Sequence, residues 1–142
     1  MKTSARNQLT GVIEKVVHGP VSAEVVLHIS KENSVTAVIT NESAQYLGLK
    51  KGDTATALIK ASSVILMEPD EHVKTSAKNR FCGKVDGIVE GMVTDEVTIH
   101  LDDGNSIVAT ITKKSLDDMK LKNGETICAL VKASHVILAI KQ

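Results

Sequence analysis

The stretch "ALIKASSVIL" at residues 57–66 decides the architecture, because a near copy, "ALVKASHVIL", stands at residues 129–138. The offset between the copies is 129 − 57 = 72 residues, and it also brings "KTSARN" (2–7) onto "KTSAKN" (74–79). Over residues 2–70 this offset aligns the chain without a gap, and roughly 30 of the 69 pairs are identical. The chain is therefore a duplicated unit of about 70 residues.

The composition limits the classes of protein that the chain can represent. Apolar residues make up 42% of the 142 residues but aromatic residues only 1%, so the core must be aliphatic. The 17 basic and 17 acidic residues give no net charge, and hence no basic field that would hold nucleic acid or an acidic membrane surface. No apolar run is long enough to span a membrane, and the N-terminus lacks the apolar region of a signal peptide. We expect a cytoplasmic protein.

The two cysteines, Cys82 and Cys128, align with Thr10 and Thr56 of the first half, so they do not follow the repeat. No cluster of cysteine or histidine with metal-ligand spacing accompanies them, and we expect two free thiols and no metal site. His28 and His100 do follow the repeat, and the alternation of their strands places both on an outer face.

The hydrophobic pattern predicts the same order of elements in each half. A short charged joint opened by Pro69 separates two units, residues 1–70 and 73–142. The first unit is predicted to contain a helix closed by Gly48 and five strands, at 9–17, 22–29, 34–40, 54–61 and 63–67, with the helix at 41–49 after the third strand. This order predicts an all-β fold of two tandem OB-type five-stranded β-barrels, each with one short helix. Such small barrels bury little core, so we expect oligomerisation.

Three polar stretches recur in both halves and predict an anion site in each. They are Ser-Ala-Arg (or Lys), Thr-x-x-Ser at the start of the helix, and Lys-Ala-Ser after an apolar strand. They supply hydrogen-bond donors and cations but no carboxylate, although a helix cap or a solvated lysine is the alternative for each stretch taken alone. The residues are Ser4, Ala5, Arg6, Thr40, Ser43, Lys60, Ala61 and Ser62, with Ser76, Ala77, Lys78, Thr112, Ser115, Lys132, Ala133 and Ser134 in the second half.

The charges of these stretches match a dianion. Arg6 with Lys60 supplies two positive charges in one half, and Lys78 with Lys132 supplies two in the other. A lining that only donates hydrogen bonds leaves the proton of hydrogen phosphate without an acceptor, and so favours unprotonated oxyanions such as molybdate, tungstate or sulfate.

The segments "TSARNQLTG" (3–11), "HGPVSAEV" (18–25), "TNESA" (40–44) and "ALIKASSVIL" (57–66) together resemble the tandem molybdenum-binding Mop-domain proteins, the molbindins. The resemblance covers essentially the whole chain. It implies OB-type barrels assembled as trimers that bind molybdate or tungstate at subunit and module interfaces, for intracellular molybdenum storage and homeostasis. It also implies an axial site at a Gly-x-Val loop, here Val21 and Ser22 in the first half and Val93 and Thr94 in the second.

Three other functions are alternatives to oxyanion binding, and each needs features that the sequence can be checked for. An OB-type nucleic-acid-binding protein would need stacking aromatics and a basic groove, and the chain has one Phe, one Tyr and no net charge. A ligand-sensing module that partners a regulator or a transporter would use the same anion site, and the two units leave no room here for a DNA-binding or ATPase segment. An enzyme would need acid–base or nucleophilic groups, and no such pair is present; we expect no catalytic activity.

Overall fold

The computed structural model describes residues 1–142 and contains ten strands, two short α-helices and two 3-10 turns. Both α-helices have only seven residues, well short of the roughly 20 apolar residues that a membrane-spanning helix needs. The elements are β1 (Asn7–His18), β2 (Ser22–His28), β3 (Ser34–Thr40), α1 (Asn41–Leu47), β4 (Thr54–Ile59), a 3-10 turn (Ala61–Ser63), β5 (Val64–Met67), β6 (Asn79–Val89), β7 (Thr94–His100), β8 (Ser106–Thr112), α2 (Lys113–Met119), β9 (Thr126–Val131), a 3-10 turn (Ala133–His135) and β10 (Ile137–Ala139).

The two five-stranded sheets each take their last strand from the opposite half of the chain. The first sheet has the order β10-β4-β1-β2-β3, and the second has the order β5-β9-β6-β7-β8. Ile137 of β10 lies opposite Leu58 of β4, and Val64 of β5 lies opposite Val131 of β9. The all-β prediction of two five-stranded units is confirmed, but residues 1–70 and 73–142 exchange their final strands.

One core, aliphatic except for Phe81, runs through both sheets. Side chains alternate between buried and exposed along the strands, as in β7, where Val97 and Ile99 are fully buried. The core joins residues of both halves, with Leu27 and Ile59 from the first and Phe81 and Ile99 from the second. Because the core is shared and the last strands are exchanged, neither half of the chain completes its own barrel.

Gly11 and Gly83 are repeated because β1 and β6 pass very close to a neighbouring backbone. A Cβ atom on Gly11 would lie 2.4 Å from the carbonyl oxygen of His28, and one on Gly83 would lie 2.3 Å from that of His100. No side chain fits at these distances. The repeated glycine therefore allows the first strand of each half to lie this close to the backbone at the end of the second strand.

The predicted helix is confirmed at Asn41–Leu47, and its two ends are closed by local chemistry. Thr40 caps the first turn, and Gly48 adopts the left-handed conformation (φ 63°) that ends many helices. The second helix is capped in the same way by Thr112, but its left-handed residue is Lys120 (φ 53°). Lys120 is the only non-glycine residue with a positive φ in the chain.

The expectation of two free thiols is wrong, because Cys82 and Cys128 form a disulfide with an S–S distance of 2.02 Å. The two residues lie directly opposite each other in the β6–β9 ladder. The corresponding pair of the first half, Thr10 and Thr56, also lies face to face and shares a hydroxyl hydrogen bond of 2.8 Å. The disulfide therefore takes the cross-strand position that the Thr10–Thr56 hydrogen bond has in the first half. The two cysteines are 46 residues apart in the sequence, so their pairing is not evident from their spacing.

Candidate functional site

Five of the predicted anion-site residues line one cavity of about 440 Å³, named here the Lys60 cavity. They come from the segment before β1 and from the 3-10 turn after β4. These segments meet because Asn7 and Ile59 are paired at the ends of the two strands, so the chain leaves the sheet at the same place on both. The five residues are Ser4, Ala5, Lys60, Ala61 and Ser62.

The rest of the Lys60 cavity contains hydroxyl, imidazole and apolar groups but no carboxylate. Thr3 adds a hydroxyl, and its Oγ1 accepts a hydrogen bond of 2.8 Å from the Ala5 N–H. Thr110 and His135 line the cavity from the second half of the chain. His135 was not predicted, because only the strand exchange carries residue 135 to the first half.

The repeated Asn of "KTSARN" and "KTSAKN" joins the two halves. Asn79 is buried, and its side-chain amide donates to the carbonyl oxygens of Thr36 (2.8 Å) and Val131 (3.2 Å), while its Oδ1 accepts from the Thr36 N–H (2.7 Å). Asn7 makes the matching three bonds to Ile59 and Val108. Thr36 and Val108 lie on β3 and β8, which are edge strands of their sheets. Each Asn side chain therefore provides hydrogen-bond partners for a backbone N–H and C=O that point away from the sheet and have no neighbouring strand.

Arg6 is held by a carboxylate rather than by the Lys60 cavity, of whose lining it is not a part. Its guanidinium donates two hydrogen bonds to Glu96, at 2.6 and 2.9 Å. The hydrogen bond and the charge of Glu96 raise the pKa of Arg6 above its ordinary value. The sequence did not reveal this partner, because Glu96 is 90 residues away in the other half. In this arrangement Lys60 is the one lysine or arginine that lines the cavity.

Thr40 and Ser43 form the predicted capping pair of α1. The Oγ1 of Thr40 accepts from the Ser43 N–H (3.0 Å) and donates to the Ser43 hydroxyl (2.9 Å). Both residues line a second cavity of about 420 Å³, the Thr40 cavity, together with Ser134 of the second half. Thr112 and Ser115 repeat the same hydrogen bonds at α2, at 3.1 and 2.8 Å.

The anion-site residues of the second half are spread over separate places in the single chain. Ser134 lines the Thr40 cavity, whereas Ala77 lines a smaller one of about 330 Å³ with Lys74 and Thr75. Lys132 directly follows β9 at an exposed position, as Lys60 follows β4. Ser76, Lys78, Lys132 and Ala133 line neither of these two cavities.

The two axial-loop candidates differ in their electrostatics. Val21 and Val93 are highly exposed, at 79% and 77%, and they precede Ser22 and Thr94, the first residues of β2 and β7. In the second loop the buried carboxylate of Asp95 accepts from the Gly91 N–H (2.8 Å) and lies 3.4 Å from the Lys113 ammonium. Its Oδ2 has no hydrogen-bond partner.

The position of Asp95 in the first half is occupied by Ala23. Burial would lower the pKa of Lys113, but its hydrogen bond to Glu90 and the charges of Asp95 and Glu90 outweigh burial and raise it. The loop at Val93 and Thr94 thus carries carboxylates that the loop at Val21 and Ser22 lacks, which makes it the poorer place for an anion.

A hydrogen-bonded junction joins the β2–β3 and β7–β8 loops. Asp103 accepts from the Ser30 hydroxyl (2.6 Å), the Asn33 side-chain amide (2.7 Å) and the Asn105 N–H (2.8 Å). Burial raises the pKa of Asp103, but these hydrogen bonds together outweigh it and lower the pKa to about 2. The ionised carboxylate therefore holds the two halves together at neutral pH.

Two copies of the TOBE domain match the chain, at residues 3–66 and 75–138, and the chain belongs to the TOBE-domain family. It is 43% identical over 141 residues to the molybdenum transport protein ModE of Azotobacter vinelandii, over 99% of this chain and 52% of that protein. It is 44% identical over 140 residues to the molybdenum-pterin-binding protein MopA of Rhodobacter capsulatus, over 99% of this chain and 53% of that protein. The chain thus spans about half the length of these relatives.

Among solved structures, the chain superposes on the cytoplasmic molybdate-binding protein ModG, crystallised with molybdate bound. The TM-score is 0.96 at 38% identity, over 99% of this chain and 100% of that chain. The resemblance to tandem Mop-domain proteins and the predicted OB-type fold are confirmed.

Proposed function

We propose that this protein binds molybdate or tungstate and serves intracellular molybdenum storage and homeostasis without catalysing a reaction. The observation that carries the proposal is the Lys60 cavity, which combines a lysine, serine and threonine hydroxyls and an imidazole with no carboxylate. The similarity to ModG, a cytoplasmic molybdate-binding protein, supports both the ligand and a cytoplasmic location.

The proposed ligands in the first half are Ser4, Ala5, Lys60, Ala61 and Ser62, which already share the cavity. The Lys60 ammonium supplies the charge, and Ser4 and Ser62 supply hydroxyl donors to the oxyanion oxygens. Arg6 can join them only by leaving Glu96, since its guanidinium is occupied by that carboxylate. We expect the cavity to prefer molybdate and tungstate to hydrogen phosphate, because its lysine and hydroxyls can all donate to an unprotonated oxyanion and it has no carboxylate to bind the phosphate proton strongly.

The remaining predicted ligands are proposed to meet across chains of a homotrimer. They are Thr40, Ser43, Thr112 and Ser115 at the helix starts, and Ser76, Ala77, Lys78, Lys132, Ala133 and Ser134 in the second half. Thr40, Ser43 and Ser134 already share the Thr40 cavity, and a site completed by other subunits would bring in the donors that a single chain leaves apart. Ile65 and Ile137, which are repeat partners on the edge strands β5 and β10, are exposed at 65% and 61%. An apolar side chain so exposed on a sheet edge favours burial against another chain.

Nucleic-acid binding is the less supported alternative. The chain carries no net charge, one Phe and one Tyr, whereas single-strand binding by OB folds relies on stacking aromatics and a basic groove. A role as the sensing part of a regulator is tied to the similarity with half of ModE, and it would use the same oxyanion site.

Native mass spectrometry with and without added molybdate tests the proposal, because it reports chain number and bound oxyanions together. We expect a trimer that gains molybdate, and loss of part of that molybdate in Lys60→Ala. The control is Lys51→Ala, which removes an exposed turn lysine that lines neither the Lys60 cavity nor the Thr40 cavity. A chain that gains no molybdate or tungstate would overturn the proposal, as would Lys60→Ala binding as much as wild type.

A further inference from the structure

The strand exchange places a histidine opposite Lys60. In the β10–β4 ladder Ile137 pairs with Leu58, and two residues from that pair stand His135, in the turn before β10, and Lys60, directly after β4. His135 ends the 3-10 turn Ala133–His135 and lines the Lys60 cavity. The two residues therefore face the same space from opposite halves of the chain.

The equivalent position in the other half of the chain has no titratable group. In the β5–β9 ladder Val64 pairs with Val131, so Ser63 and Lys132 each lie one residue beyond that pair. Ser63 is the repeat partner of His135, since 135 − 72 = 63. Continued by one residue, the ladder puts Ser63 beside Lys132, at the place that His135 takes beside Lys60.

The cavity that His135 lines contains the cation of Lys60 and no carboxylate. The strand packed against the turn, β3, has the sequence SVTAVIT and carries no ionisable side chain. Lys132 precedes the turn on the same element, and Arg6, the sequence neighbour of the lining residue Ala5, is paired with Glu96. A protonated imidazole here adds a positive charge beside other positive charges, which an anion between them would offset.

We infer that His135 makes oxyanion binding in the Lys60 cavity proton-linked, so that this site binds its dianion more tightly as the pH falls from 8 to 6. Histidine is the side chain that ordinarily gains its charge in this interval. The dianion favours the protonated ring, and binding therefore takes up a proton. The site at Lys132, with Ser63 in place of the histidine, keeps a constant affinity over the same interval. This inference rests on the proposed function, because it assigns a specific behaviour to the same oxyanion site.

The expected size follows from Coulomb attraction. One additional charge a few ångströms from a dianion in a water-exposed site changes the affinity by roughly tenfold. The chain should therefore show two classes of site, of which one changes about tenfold between pH 6 and pH 8.

Calorimetric titration of the full chain with molybdate at pH 6 and pH 8 tests the inference. At pH 7, titration in two buffers of different ionisation enthalpy also counts the protons taken up on binding. His135→Ser should remove both the pH dependence and the proton uptake of one class of site while molybdate still binds. Ser63→His is the matched variant, and it should give the second class of site the same pH dependence. The pair keeps the test valid if either variant folds poorly.

The possible failures are distinct. Molybdate that binds with the same affinity at pH 6 and pH 8 would overturn this inference and leave the proposed function standing. So would a His135→Ser variant that retains the pH dependence and proton uptake of wild type. Absence of molybdate binding at both pH values would overturn the proposed function itself.

Discussion

Replacing Asn79 by Ala should destabilise the protein by about 3 kcal/mol, because it removes the three hydrogen bonds of a buried side chain, worth ~1 kcal/mol each. The side chain is 1% exposed, and its bonds to Thr36 and Val131 are 2.7 to 3.2 Å long. Thr36 lies on an edge strand, so its outward N–H and C=O lose their partner within the chain. A domain of this size is stable by only ~5–15 kcal/mol, and the loss should be easily measured.

Urea unfolding at a fixed chain concentration is the assay, since oligomerisation makes the midpoint depend on concentration. The control is Arg80→Ala, the exposed neighbour on the same strand, which should change the free energy of unfolding by less than ~0.5 kcal/mol. Asn7→Ala should match Asn79→Ala, because Asn7 makes the same three bonds to Ile59 and Val108. If Asn79→Ala unfolds like the Arg80 control, the side-chain amide does not join the halves and the reasoning is refuted.

Three further perturbations test other parts of the structure. Both Lys120 and Gly48 adopt the left-handed backbone conformation, which glycine accepts at lower cost than lysine. In urea unfolding, Lys120→Gly should therefore stabilise the protein by ~0.5–1 kcal/mol and Gly48→Lys should destabilise it by a similar amount. Variants as stable as wild type would contradict this. Because its pKa is lowered to about 2, Asp103 contributes stability above pH 4 that is lost toward pH 2. The free energy of unfolding of Asp103→Asn in urea should therefore depend less on pH in that range than that of wild type. An unchanged pH dependence would count against the junction. Glu96→Gln should free Arg6 and tighten molybdate binding severalfold in calorimetry; an unchanged affinity would mean that Arg6 does not reach the ligand.

The elements that the sequence predicted well are those set by local chemistry. The helix at Asn41–Leu47 follows from a capping Thr40 and a closing Gly48, and both lie within a few residues of it. The strands follow from alternation of apolar and polar residues. The five residues of the Lys60 cavity could be grouped because the repeat marked them, and they lie at the ends of two paired strands.

The partners that come from the opposite half could not be predicted. "SVIL" at 63–66 and "HVIL" at 135–138 present almost the same side chains to a neighbouring strand, so sequence cannot decide which copy pairs with β4 and which with β9. The exchange in turn decides that His135 faces Lys60. The Arg6–Glu96 ion pair depends on the docking of the halves and is equally hidden.

The disulfide was missed for a related reason. Cys82 and Cys128 belong to the same half, and the alignment had already placed them on Thr10 and Thr56. The hydrophobic pattern did not predict that the first strand of a half pairs with its fourth strand. This pairing brings two positions 46 residues apart directly opposite each other. Sequence periodicity assigns the faces of strands but does not give their order in a sheet.

Anomalous diffraction from crystals grown with molybdate tests the central claim most directly, because the molybdenum signal locates the oxyanion without reference to any assumed site. The claim predicts a peak in the Lys60 cavity, with oxyanion oxygens within hydrogen-bond distance of Lys60 and of the hydroxyls of Ser4 or Ser62. A peak is also expected at the corresponding residues of the second half, Ser76, Lys132 and Ser134, completed by a neighbouring chain. Molybdenum bound only away from these residues, or not bound at all, would contradict the account.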